Sequence, residues 1–481
     1  MSLIRNLRLG HATNSSSSHS IVIMKRGHKP PSSEWRLFEG SIEEPRRDAK
    51  PADVVKVSTY FGYNRFILAD ARSKLMYLAT RDSHKYKTWQ EMKPDFGALL
   101  TDEDIRAARA GHFENTKGYW FSGLPTEFIL ADGIAILGNE DDSYMNLPGS
   151  ERLDPYSLKD LRMKQEGSAT VWYSPSTGFK ARFSSEPYLK ATAPELVDVK
   201  ITDYCPYGCT FCYQGSTREG AHAPLDLILK TADRLAEIGV FEVALGGGEP
   251  MMHPDFPAII KAFRDRGITP NVTSFGVEWL KREDVMSVIG LIGGLGVSVQ
   301  TPGSVRKIGL IQEALRDVPG GSKVQILPQH AVGTGDLFGI VREIHDQHLE
   351  PSLLLLGFKN VGRGIDGQSH PHSDDDVIEA IWALKDRAWS DVHLSVDTAF
   401  LEQYPNVIEH LDVPEHMTSS PEGMFSMYID LVAGTMGPSS YCPQEAYVPL
   451  DLEGILDVFA QWQPTALIPA SEERPTAYSP S

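Results

Sequence analysis

From Glu195 onward the chain alternates strand-like and helix-like runs, and this rhythm constrains the fold more than any other feature of the sequence. Apolar or alternating runs predict strands at Leu196–Ile201, Glu242–Leu245, Pro270–Ser274, Gly296–Gln300, Lys323–Leu327, Ser352–Leu356 and Val392–Val396. Between them, helical periodicity predicts helices at Leu225–Ile238, Phe256–Arg266, Lys281–Ile289, Ser304–Arg316, Asp336–Gln347 and Asp374–Ala388. Such an alternation builds βα units on a parallel sheet, with right-handed connections. The expected fold is α/β, a partial (β/α)6 TIM-like barrel. Several of these strands run directly into Gly, Pro or polar residues, as expected where strand ends form a site.

The chain has 481 residues, too many for one ordinary core, and its flanks read differently from the barrel. Residues 1–190 are expected to form an N-terminal α+β domain, a candidate for substrate recognition. It has strands at Val54–Tyr60 and Phe128–Leu137, helices at Ser83–Glu91 and Thr101–Ala110, and a hairpin of Val171–Tyr173 with Phe179–Phe183. Its polar run from His11 to Ser20, with four consecutive serines, reads as a loop before a first strand or as an anion-binding or modified segment. Residues 28–52 read as a surface loop. Residues 191–405 are assigned to the barrel, 406–463 to a C-terminal extension over its mouth, and 464–481 to a disordered tail.

Charge separates the two halves. Residues 1–190 carry 27 Lys and Arg against 24 Asp and Glu, which leaves 19 against 40 of the totals of 46 and 64 for the rest. A barrel half this acidic repels phosphate backbones, so general nucleic-acid binding is not expected. No apolar stretch is long enough for a membrane span, and the first ten residues lack the apolar core of an export signal. Four cysteines, three of them clustered, suit a reducing compartment, and a cytoplasmic protein is expected.

That cluster is Cys205, Cys209 and Cys212, spaced C-x3-C-x2-C on a Pro- and Gly-containing loop after the first barrel strand. Three soft thiolates can hold three corners of an iron–sulfur cube and leave one iron without a protein ligand. Zinc would need a fourth ligand, His222 or Cys442. A dithiol formed by Cys209 and Cys212 would leave Cys205 idle. One strand later, Val243-Ala244-Leu245-Gly246-Gly247-Gly248-Glu249-Pro250 ends in three glycines and an acid. Glycines admit close backbone approach, and Glu249 can accept hydrogen bonds from an ammonium group.

Taken together, the three cysteines, Phe211 before the last of them, the Gly247-Gly248-Glu249-Pro250 run and the strand rhythm resemble the radical S-adenosylmethionine (radical SAM) superfamily. The resemblance covers less than half the chain. It implies a [4Fe-4S] cluster on Cys205, Cys209 and Cys212, with S-adenosylmethionine (SAM) chelated to the open iron. Reductive cleavage of SAM would then give a 5′-deoxyadenosyl radical that abstracts hydrogen from a substrate. By the same resemblance, Phe211, Gly246, Gly247, Gly248 and Glu249 would contact SAM, as would Thr273, Ser274, Ser298 and Gln300 at later strand ends. Asp203 and Gln300 depart from the residues common at their positions, and no confident G-x-I-x-G-x-x-E element marks the fifth strand.

Three further residues are candidates for chemistry on the substrate. Lys359 and Arg363 lie in a glycine-rich loop after the sixth strand and could clamp a carboxylate or phosphate. Cys442 could donate a hydrogen atom to a product radical, cap the cluster iron, or pack as an inert thiol. One further cysteine is too few for an auxiliary-cluster domain. The expected substrate is a peptide or protein side chain, the alternative a nucleotide, nucleic acid or small metabolite, and the expected electron donor a flavodoxin or ferredoxin. A reading of another class is a non-catalytic iron–sulfur or zinc protein.

Overall fold

The computed structural model describes residues 3–9, 12–13, 18–23, 55–57, 66–68, 88, 90–91, 106, 134–138, 162–166, 169–184, 191–347, 349, 352–365, 372–387, 392–410 and 422–463. The helices expected at Ser83–Glu91 and Thr101–Ala110 lie largely outside these residues. The 28–52 loop and the 464–481 tail lie wholly outside them.

Strands β1 (Leu3–Leu9) and β2 (Ser18–Ile23) open the described chain. A small sheet joins β3 (Val55–Val57), β4 (Phe66–Leu68) and β5 (Ile134–Gly138), in the order β3-β5-β4. Strands β6 (Arg162–Glu166), β7 (Ala169–Tyr173) and β8 (Phe179–Ser184) form an antiparallel meander with β1 on its far edge. The hairpin predicted around Pro175–Gly178 is the β7–β8 turn, in which Gly178 takes φ +71° and its N–H donates to the Ser174 carbonyl at 2.8 Å.

The barrel follows as seven parallel strands. They are β9 (Leu196–Thr202), β10 (Glu242–Gly247), β11 (Thr269–Ser274), β12 (Gly294–Ser298), β13 (Gln325–Ala331), β14 (Ser352–Leu356) and β15 (Val392–Asp397). Neighbours in this sequence order pair in parallel throughout. Around them pack α1 (Leu225–Glu237), α2 (Phe256–Asp265), α3 (Arg306–Leu315), α4 (Leu337–Asp346) and α5 (Asp374–Arg387). In α1, Ile228, Thr231, Ala232 and Leu235 recur at i, i+3, i+4 and i+7, so one stripe is buried against the sheet. That stripe meets Val197, Val199 and Ile201 of β9 in the larger core. A second core joins Val299, Leu353, Leu355 and Val396 to Ile308, Ile340 and Val377 of the helices. Each such aliphatic side chain contributes about 1.5–3 kcal/mol by leaving water. The alternate residues of the strands, including Asp198, Lys200, Asn271, Thr273 and Gln329, are polar, which leaves a polar lumen.

Several expectations shift on contact with the tertiary structure. The fourth strand begins and ends two residues earlier than predicted, so Gln300 lies beyond it, and the fifth runs on to Ala331 through Gln329 and His330. Gly294 and Gly296 carry no side chain to mark the strand period, which hid the first register from the sequence. The helix predicted at Lys281–Ile289 is instead a 3₁₀ turn at Glu278–Lys281 and a short helix at Glu283–Met286. Gly290 ends that region by packing so closely that a Cβ there would lie 2.0 Å from the Pro319 carbonyl oxygen.

The sheet also draws in both flanks. β2 pairs antiparallel with β15 on one edge, and β16 (Ser426–Asp430) pairs parallel with β9 on the other. From β16, β17 (Thr435–Gly437) and β18 (Val448–Pro449) continue the sheet. Two short helices, α6 (Thr398–Gln403) and α7 (Pro405–His410), follow β15, and α8 (Ile455–Trp462) ends the described chain. Ala12 is buried against Leu196 and Ala244, and Gln329 Nε2 donates to Thr13 Oγ1 at 2.6 Å. The expected divisions at residues 190 and 405 therefore cut through one sheet, because unpaired edge strands of the barrel are satisfied by segments remote in sequence. The meander is anchored to it by Glu195, where Lys180 pairs at 3.1 Å and Arg182 completes a buried fork while lying over the Phe425 ring. No helix among the described residues is long and apolar enough to cross a membrane.

Candidate active site

The loop after β9 carries Cys205, Cys209 and Cys212, all half-buried. It is shaped by its own backbone: Cys205 N donates to the Thr217 carbonyl at 2.8 Å, Gly215 N to the Cys212 carbonyl at 3.1 Å, and Asp203 N to the Ala221 carbonyl at 2.8 Å. Gly208 (φ +66°) and Gly215 (φ +65°) make left-handed turns that other residues adopt only with strain. Burial pushes the Cys209 thiol up to about 11, and Cys212 and Cys205 add to the rise. Burial also raises Cys205, with Glu249 and Cys212 contributing. Thiols in such mutual reach hold protons until a metal displaces them.

The glycine run at the end of β10 serves this loop directly. A Cβ on Gly247 would lie 2.2 Å from the Thr202 carbonyl oxygen, and one on Gly248 would lie 2.1 Å from that of Tyr204. The close approach lets Gly248 N donate to Thr202 O at 2.7 Å and Glu249 N to Tyr204 O at 2.8 Å. Gly247 and Gly248 thus lock β10 to the cysteine strand, whereas a Cβ on Gly246 would meet only Asp198 Oδ1, at 3.7 Å.

Glu249 is buried beyond them. Its Oε2 accepts from Phe275 N at 3.0 Å, while Oε1 is buried without a hydrogen-bond partner. Burial pushes its pKa up to about 7, opposed by the Phe275 N–H and Ser274. An orphaned carboxylate oxygen next to Cys205 of a three-thiol loop is the feature that fits an ammonium-bearing ligand of an open-iron cluster.

Facing it is a residue that the motif reading missed. Lys307, on the first turn of α3, donates from Nζ to the Phe275 and Ser298 carbonyls at the ends of β11 and β12. Burial lowers its pKa, while Glu278, Cys209 and Glu249 oppose that shift. The one available signal was the Thr301–Ser304 capping box, which opens the 3₁₀ turn Pro302–Ser304 that leads into α3, where Lys307 reaches back to the strand ends. Tyr207 closes this side by donating to Glu278 Oε2 and packing on Phe275 with ring centroids 5.1 Å apart.

The other expected contacts divide. Ser274 sits at the end of β11, where its hydroxyl donates to the Gly276 carbonyl at 3.1 Å, and Ser298 ends β12 beside Lys307. Thr273 donates to the Thr13 carbonyl within the lumen, and Gln300 Oε1 accepts from the Thr334 hydroxyl at 2.5 Å. These two are engaged by the chain itself. Phe211 is half-buried, with its carbonyl facing Gly364.

On the opposite side of the mouth, Lys359 and Arg363 do not form the anion clamp expected of them. The Lys359 ammonium lies 4.6 Å from the Tyr213 ring centre and 4.8 Å from that of Tyr441, with Asp397 Oδ2 at 3.9 Å. Burial works against its charge, but Tyr213, Asp397 and Glu422 outweigh it and raise the pKa. Asp397 is the N-cap of α6, accepting from Phe400 N and from Gly357 N, each at 2.8 Å. Glu422, pushed up to about 8 by burial, accepts from the Tyr441 hydroxyl at 2.9 Å. Arg363 turns away from the mouth and donates to main-chain carbonyls of the cysteine loop. Cys442 is half-buried on the turn after β17, its thiol donating to the Ser439 carbonyl at 3.3 Å and facing Tyr447.

His222, one of the two fourth ligands considered for zinc, is engaged by the chain itself. His222 Nδ1 is hydrogen-bonded to Thr202 Oγ1 at 2.8 Å, and its ring packs edge-on against His253. Among the described residues, no group of three or more His, Cys, Asp or Glu is arranged to hold a single metal ion. A cluster, which spreads its thiolates over separate irons, suits the cysteine loop better.

Comparison with known proteins adds the following. The family model described as the Radical SAM superfamily matches residues 199–318. A PqqA peptide cyclase from Ruegeria pomeroyi is 28% identical over 108 residues, 22% of this chain and 29% of that protein. A GTP 3',8-cyclase from Pectobacterium atrosepticum is 39% identical over 72 residues, 14% of this chain and 22% of that protein. The chain thus spans less than a third of the length of these curated relatives. Streptococcus suis SuiB bound to S-adenosylmethionine aligns with a TM-score of 0.49 at 11% identity, covering 63% of this chain and 87% of that structure.

Proposed function

We propose, from the premise that this chain belongs to the radical SAM superfamily, that it is an enzyme that cleaves SAM reductively and abstracts hydrogen from a peptide or protein side chain. The observation that carries the reading is the orphaned Oε1 of Glu249, next to Cys205 of the loop that holds the three thiols. Cys205, Cys209 and Cys212 would hold a [4Fe-4S] cluster, which when bound supplies the electron that cleaves SAM. Glu249 would accept from the SAM ammonium, while Lys307 offers a cation on the far side of the same cleft. Tyr207 and Phe275 wall the cleft, and their packing keeps water from the reacting groups.

Chemistry at the opposite side of the mouth favours a peptide over a phosphate ester. Lys359 is enclosed by two tyrosine rings and Asp397, and Glu422, Asp198 and Asp430 surround the same region. Such a setting repels a phosphate. The PqqA peptide cyclases among the relatives agree with this choice, and the GTP 3',8-cyclases keep nucleotide chemistry as the second reading. The N-terminal region would read the peptide, and the electron would come from a flavodoxin or ferredoxin in the cytoplasm. Cys442, within the extension whose Tyr428 hydroxyl donates to Gln214 of the cysteine loop at 3.3 Å, would act on the substrate side.

Anaerobic reconstitution tests the core of this reading. The loaded protein, given dithionite, SAM and a candidate peptide, is expected to release 5′-deoxyadenosine. A chain that takes up iron and sulfide yet yields none with any peptide or nucleotide supplied would sink it.

A further inference from the structure

The loop after β14 reaches back to the cysteine loop at a point that no motif marks. Arg363 N donates to the Cys212 carbonyl at 3.0 Å, Arg363 Nε to the Cys209 carbonyl at 3.0 Å, and Nη1 to the Ser216 carbonyl at 2.8 Å. One residue thus ties down the carbonyls of two of the three cysteines, from 154 positions away in sequence in the Cys209 case. The preceding Gly362 takes φ +58°, and a Cβ there would lie 2.3 Å from the Tyr213 carbonyl oxygen. Only glycine admits this approach.

We infer that Arg363 is a positioning residue for the cluster: its guanidinium and backbone form a strap that fixes the cysteine loop in the geometry that receives iron. This rests on the cluster reading above and deepens it. A loop carrying three thiols and left-handed glycines has many conformations when unliganded, and each order imposed beforehand lowers the entropy lost on metal binding. A planar fork suits the task because it holds two carbonyls in a fixed relation, which a single ammonium does not. Hydrogen bonds from a charged donor are stronger than neutral ones, so their loss is felt locally.

The test uses the full chain with and without iron. In the iron-free protein, amide exchange over residues 208–216 is read by mass spectrometry. Arg363→Gln is expected to speed exchange there by about tenfold or more, with Arg363→Lys in between and the rest of the barrel unchanged. After anaerobic reconstitution, Arg363→Gln is expected to lose iron to a chelator at least about tenfold faster than wild type. Wild-type exchange and iron retention in Arg363→Gln would overturn the strap, as would faster iron loss with unchanged loop exchange. If Arg363→Gln unfolds throughout, Gly362→Ala is read in its place. There, faster loop exchange with an intact barrel supports the strap, and wild-type behaviour overturns it. Should wild type itself take up no iron, the cluster reading fails while the exchange data still decide the strap.

Discussion

Two sides of one barrel mouth are built on opposite principles. At the β9–β10 side, the chemistry-bearing residues are close in sequence and their packing is local: Thr202, Tyr204, Gly247 and Gly248 interlock through main-chain hydrogen bonds. At the β14–β16 side, Lys359, Asp397, Glu422 and Tyr441 come from four separate segments and meet only in the folded state. Each side holds a buried carboxylate oxygen without a hydrogen bond, Glu249 Oε1 on the first and Glu422 Oε2 on the second, and the second also encloses the Lys359 ammonium between two tyrosine rings and Asp397. In the function proposed above, the first side takes the cofactor and the second faces the peptide.

The contrast can be broken by substitution. The largest effect is expected at the loop: Cys205→Ala should abolish both cluster absorption and SAM cleavage, measured after anaerobic reconstitution. If Cys205→Ala still binds a full cluster, the local side has been misread.

Next comes the anchor that holds the meander to the barrel. Glu195 is buried, which alone would raise its pKa, but Arg182 and Lys180 overcome that and hold it at about 2. A depressed carboxylate contributes stability above its unfolded pKa that is lost as pH falls toward about 2. Glu195→Gln leaves Arg182 buried and uncompensated, so a loss of about 3–5 kcal/mol is expected in a denaturant melt at pH 7.

Glu249 should separate binding from stability. Its pKa is raised to about 7, so the folded state holds the proton more tightly and stability falls as pH rises from the unfolded value toward 7. Glu249→Gln should therefore melt higher than wild type at pH 8 in the unliganded state, by up to a few kcal/mol. The same variant should bind SAM about tenfold or more weakly in calorimetry of the loaded protein. Equal affinity would remove Glu249 from the cofactor side.

The smallest effect is expected across the mouth. Cys442→Ala should leave the fold and SAM cleavage intact, with any loss confined to product formation from the substrate peptide. Unchanged product yield would reduce Cys442 to a packing residue.

Much of this was legible in the sequence because it is written in local patterns. Cys205, Cys209 and Cys212 share one loop, Glu249 follows its glycines directly, and most barrel strands have their own apolar period. Lys307 was not legible, since the Arg306-Lys307 pair at a helix start reads as solvated until the fold shows Lys307 donating to the carbonyls at two strand ends. Nor was the role of Arg363, whose partners are carbonyl oxygens present at every position and therefore invisible to residue type. Gln300 was placed wrongly for a related reason, because Gly294 and Gly296 carry no period from which to read a register.

The sequence by itself determined the parallel barrel, the three-thiol loop and the acid beside it, because hydrophobic period and short-range spacing survive without knowledge of contacts. Only the tertiary structure decided that the two chain flanks complete the barrel sheet, that Lys359 is enclosed, and that Arg363 serves the cysteine loop. Those outcomes depend on pairings between segments more than 100 residues apart in the strap and both sheet edges, as the 154-residue span from Cys209 to Arg363 shows. Edge pairing and main-chain recognition are satisfied by geometry, and no residue type announces them in advance.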